Sequence, residues 1–141
     1  MNLNTTHHCS RRAVCAGIAL LSAFALQGVA AAKSSDIRLK ARLAGPAAGP
    51  TGEAEFHSNP AKLRSSLEIE VEHVAIPDNT VLTVVLHQGT TDTTIGTMTL
   101  KGGERELELS TEEGDKVPAV AKGDTLMIQF PAGTTILSGT F

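Results

Sequence analysis

Polar and apolar residues alternate along most of this chain. In Ile37–Leu43, IRLKARL, Ile37, Leu39, Ala41 and Leu43 point one way and Arg38, Lys40 and Arg42 the other. Period two is the mark of a half-buried strand. The segments GEAEFH (52–57) and SLEIEVEH (66–73) repeat the device, with Ala54, Phe56, Leu67, Ile69 and Val71 inward and glutamates outward. His73 shares the parity of Ile69 and Val71, which predicts that it caps the edge of the core. TVLTVVLHQ (80–88) is apolar on both faces and reads as a central strand. IGTMTL (95–100) runs through Gly102-Gly103 into ERELELS (104–110), which predicts a hairpin. TLMIQF (125–130) and TTILSGTF (134–141) complete the set.

Turn chemistry separates these runs: Gly45-Pro46 to Gly49-Pro50, Ser58-Asn59-Pro60, Pro77-Asp78-Asn79, Glu113-Gly114-Asp115 and Gly133. About eight short strands with turns roughly every ten residues predict an all-β, antiparallel β-sandwich, immunoglobulin-like in general shape. A closed barrel is the alternative.

The first residues follow a different pattern. Arg11-Arg12 precedes an uncharged run from Ala13 to Ala32 that ends in small residues. A basic start, an apolar stretch and a small-residue exit predict a signal peptide over 1–32 and a single domain over 33–141. Cys9 and Cys15 fall within that signal, so the mature domain would hold itself together without a disulfide. The expected location is periplasmic or extracellular, by the general or the twin-arginine route, with no membrane span after cleavage.

Charge narrows the partners. Arg11 and Arg12 would leave with the signal, and the remaining 10 basic residues against 15 acidic ones give a net charge of −5. Phosphate backbones need a basic face, so no nucleic acid is expected. The mature domain has no Trp or Tyr, and Phe56, Phe130 and Phe141 are its aromatics. Stacking platforms for bases or sugars are therefore not expected either.

Candidate chemistry is sparse. Glu68, Glu70 and Glu72 alternate on one strand, as do Glu104, Glu106 and Glu108 on another and Glu53 and Glu55 on a third. Carboxylates side by side on one strand face the same solvent, whereas glycosidase acids flank a sugar in a cleft. They are expected to be solvated outer faces with some cross-strand ion pairs. His57, His73 and His87 are candidate zinc or copper ligands, and Asp78, Asn79, Asp92, Glu112, Glu113 and Asp115 stand in turns that could suit calcium. No nucleophile elbow, phosphate loop or dinucleotide fingerprint occurs. The expectation is a non-enzymatic binding or structural module, with no cofactor. A metal-binding β domain is the alternative. The second face of strand 80–88, Val81, Thr83, Val85 and His87, is the expected surface for a protein partner or self-association.

The segments IGTMTL, ELELS, VPAVAKGD and ILSGTF together resemble those of small uncharacterised exported bacterial all-β proteins. Upstream, LAGPAAGPTGEAEF (43–56) is similar to the start of CHRD domains, which are extracellular β-rich modules. That resemblance implies a His-x-His element after the middle strand. The region here reads TVVLHQG, with His87 alone, so no functional residue is carried across.

Overall fold

A computed structural model describes residues 35–46 and 49–141. The expected signal segment lies outside the described residues. The eight strands are β1 (Ile37–Ala44), β2 (Thr51–Asn59), β3 (Arg64–Glu72), β4 (Val81–Gln88), β5 (Thr91–Thr99), β6 (Arg105–Ser110), β7 (Thr125–Gln129) and β8 (Thr135–Thr140). One 3₁₀ turn, Pro60–Lys62, joins β2 to β3. Asn59 caps it by accepting from the Lys62 N–H at 3.0 Å.

All strands belong to one antiparallel sheet, in the order β5-β4-β7-β8-β1-β2-β3-β6. The alternation explains what curls it. Leu43, Ala54, Leu67, Ile69, Val71, Leu82, Val84, Leu86, Leu126, Ile128 and Leu137 are all fully or almost fully buried on one face. A flat sheet would leave that face wet, and each large aliphatic side chain removed from water contributes about 1.5–3 kcal/mol. No polar or charged residue is buried with them among the described residues.

The ladder has two weak places. Between β8 and β1 the register rests on a single pair, Ala44 with Ser138. Gly139 permits this approach: a Cβ there would stand 2.3 Å from the Arg42 carbonyl oxygen. The other weak place is the seam between the edge strands β5 and β6. The hairpin expected here forms only at its turn, where Lys101 and Glu104 exchange backbone hydrogen bonds at 3.2 and 3.3 Å around left-handed Gly102 and Gly103. Beyond the turn the strands part. β5 pairs with β4 and β6 with β3, so the predicted β5–β6 ladder is replaced by packing of Leu107 over Gly96. A bulge helps: Val84 pairs with Gly96 and Val85 with Thr94, leaving Ile95 extra in β5.

His73 departs from its expected parity. It takes a left-handed conformation, φ 56°, directly after β3, and its side chain is 69% exposed. The next residue, Val74, enters the core instead.

These contacts set a testable difference. Gly139→Ala should destabilise the domain by about 1–3 kcal/mol, because backbone must move. Gly96→Ala should cost less, since its Cβ would meet the flexible Leu107 Cδ2 at 2.7 Å. Thermal melts followed by circular dichroism will rank the two.

Candidate functional site

The register brings the glutamates together in a way that single-strand alternation cannot reveal. On the outer face of β1, β2, β3 and β6, Arg42, Glu53, Glu70 and Glu106 form one transverse row. Lys40, Glu55, Glu68 and Glu108 form the next. Arg38, His57, Ser66 and Ser110 form a third. Six carboxylates thus occupy a two-by-three block on three adjacent strands.

Cations reach only one side of that block. The Lys40 amine donates to Glu53 at 3.1 Å and also to Glu55. Hydrogen bonds to Glu55 and then Glu53 hold the lysine above its ordinary 10.5. The Lys40 hydrogen bond holds Glu55 below the usual carboxylate value. Farther across, Glu70 faces Glu106 and Glu68 faces Glu108. Like charges in register are unfavourable, and two charges about 5 Å apart in water repel by ~0.8 kcal/mol.

Glu68 lies at the centre and is pushed above its ordinary 4.5. Though exposed, its carboxyl loses part of its hydration among its neighbours, the larger cause. Repulsion from Glu106, Glu55, Glu108 and Glu70 follows. The expected cross-strand ion pairs therefore exist at β1, while the rest of the face is mutually repulsive.

An open depression of ≈600 Å³ runs along this face, lined by Lys40, Arg42, Thr51, Glu53, Glu70 and Glu72 among others. It is rigidly floored by paired strands but has no enclosing wall. A long, charged ligand could lie along it. A small substrate would not be shut away from water.

The three candidate histidines stand apart in their surroundings. His57 is on β2, its Nε2 buried without a hydrogen bond and 3.8 Å from Asp36. His73 is beside Glu72 at 3.8 Å. His87 is on β4, its Nδ1 2.5 Å from Asp92 Oδ1. Among the described residues, no three His, Cys, Asp or Glu side chains are grouped to hold a metal ion. The acidic turns have local work: Asp78 accepts from the Gly102 N–H at 2.6 Å, Asp115 from the Ser110 N–H at 3.1 Å, and Glu112 pairs with Arg64 at 3.2 Å.

The expected interaction face lies on the opposite half of the sheet. Val81, Thr83, Val85 and His87 do share the outer side of β4. Val85 is only 6% exposed, between its cross-strand neighbours Thr94 and Met127. Thr83 and His87 are half-buried, and Val81 is open. Threonines dominate the surroundings: Thr97 and Thr99 on β5, Thr125 on β7 and Thr140 on β8. The two outer faces thus differ sharply, one lined with carboxylates and the other nearly uncharged.

Comparisons with family models, with curated proteins and with solved structures return no match. Among the described residues no helix is long and apolar enough to cross a membrane.

The glutamate block makes a signed prediction. A carboxyl raised in the folded state keeps its proton to higher pH there than in the unfolded chain. Stability therefore falls as pH rises through the window just above 4.5, and the loss persists at neutral pH. Glu55 works in the opposite sense: its contribution is present above 4.5 and lost as pH falls through its lowered value. Glu68→Gln should accordingly be more stable than the parent at pH 7, by about 0.2–1 kcal/mol. The difference should vanish in acid, below 4.5. A variant less stable at pH 7 in denaturant titrations would contradict the repulsive reading.

Proposed function

We propose that the protein is an exported, non-enzymatic binding or structural module of the bacterial envelope or extracellular space, whose outer face on β1, β2, β3 and β6 engages a cationic partner. The observation that carries this reading is the in-register block of Glu53, Glu55, Glu68, Glu70, Glu106 and Glu108. A surface selected for stability alone would alternate charges across strands. This one concentrates a single sign over a rigid, open sheet, the geometry that steers and orients an oppositely charged surface. A lysine- or arginine-rich polypeptide segment lying across the strands fits it.

The setting rests on the sequence. A signal-like N-terminus, the similarity of residues 43–56 to the start of CHRD domains, and an all-apolar core without a mature-chain disulfide support an exported, self-sufficient domain. In this reading the two four-stranded halves, β5-β4-β7-β8 and β1-β2-β3-β6, serve as the two layers of a flattened β-sandwich.

An oligolysine peptide titrated into the protein by calorimetry tests the proposal. Binding is expected at low salt, falling steeply as salt is added. Glu70→Lys with Glu106→Lys should abolish it, while Glu112→Gln, outside the block, should leave it intact. Absence of binding at low salt, or binding indifferent to the double reversal, would overturn the assignment.

A further inference from the structure

The two edges of the sheet are finished differently. β6 carries Arg105, Glu106 and Glu108, the charged residues that discourage strand addition. β5 carries one charge in nine residues, Asp92, and has neither Lys nor Pro. Asp92 is itself engaged by His87 at 2.5 Å. The first half of β5 is the bare part. Thr91, Asp92, Thr93 and Thr94 are all exposed. Alternation should bury every second one, because Thr93 pairs with Leu86, whose side chain is wholly within the core.

The bulge at Ile95 explains this. Past the bulge, Leu107 of β6 packs over Gly96 of β5. Before it, Thr91–Thr94 is bonded to β4 on one side and, among the described residues, has no strand on the other. Threonine is a strong strand former, and no charge or proline in this stretch would repel an added strand except the engaged Asp92.

We propose that Thr91–Thr94 is a strand-addition site at which a second copy of this chain pairs, β5 against β5, about a two-fold axis. A second copy is the occupant these features favour. The segment is uncharged apart from Asp92, so antiparallel self-pairing juxtaposes threonines and needs no complementary sequence. The two-fold arrangement closes at two subunits, because β5 is then used on both. The same chain's β6 is a poor partner for it, as its charges would be desolvated against neutral threonines. The surface is distinct from the glutamate face and does not depend on its proposed function. Four residues of added ladder make a small interface, so the dimer is a weak one.

Sedimentation of the full chain from about 10 µM to 1 mM, the range in which weak dimers dissociate, tests the proposal. The parent should pass from monomer to dimer across that range. Thr91→Lys with Thr93→Lys should weaken dimerisation at least tenfold without lowering the melting midpoint, and Arg105→Gln on the other edge, outside the glutamate block, should leave it unchanged. Hydrogen exchange on the parent supplies a readout that needs no variant: the amides of Thr91–Thr94 that point away from β4 should slow as concentration rises. A parent that stays monomeric throughout, a dimer indifferent to the two lysines, or exchange at Thr91–Thr94 independent of concentration would each overturn it.

Discussion

One constraint governs the rest of this molecule: the apolar residues of all eight strands must share a single interior. Alternation gives most strands one apolar row of side chains, and a flat sheet cannot bury them. The sheet therefore curls until Leu43, Ile69 and Val71 of one half enclose a common core with Leu82, Leu86 and Ile128 of the other. The domain has no buried polar network among its described residues to specify the packing. Specificity falls instead on register, since a slip of one residue would turn every leucine outward. Glycines mark where curling brings backbones closest, and Gly139 against Arg42 is the tightest of these contacts.

That division of labour frees the outer faces. Their side chains contribute little to burial, so their chemistry can depart from what stability favours. The half containing β2, β3 and β6 departs furthest, placing glutamate opposite glutamate. The half containing β4 and β5 goes the other way, with threonines and a nearly closed Val85. A charged face suits contacts steered over distance, and a bare threonine edge suits backbone pairing. The two outer surfaces are thereby equipped for different kinds of association.

Much of the strand pattern was legible from period two alone, because half-buried strands write their burial directly into polarity. Thr91–Thr94 escaped because an edge segment exposed on both faces has no alternation to read. The Gly102-Gly103 turn was visible, but a turn does not say whether the strands beyond it stay bonded. Here the demand for a curled sheet, with a bulge at Ile95, pulled them to opposite edges. Residue parity misplaced His73, since one left-handed residue reverses which neighbour faces inward. The glutamates were each placed on the correct side, as solvated residues. Their alignment was not legible, because it depends on which strands are neighbours and in what register, and polarity along one strand carries neither.

The glutamate face is held together against its own repulsion. The most direct measurement is the melting midpoint of the parent protein at pH 7 as sodium chloride is raised from about 10 mM to 300 mM, a range over which the screening length shrinks from roughly 30 Å to under 10 Å. If like-charge repulsion outweighs the Lys40 ion pairs, the midpoint will rise with salt. A midpoint that falls would mean that the outer-face charges are net attractive, and the surface would then be an ordinary stabilising one.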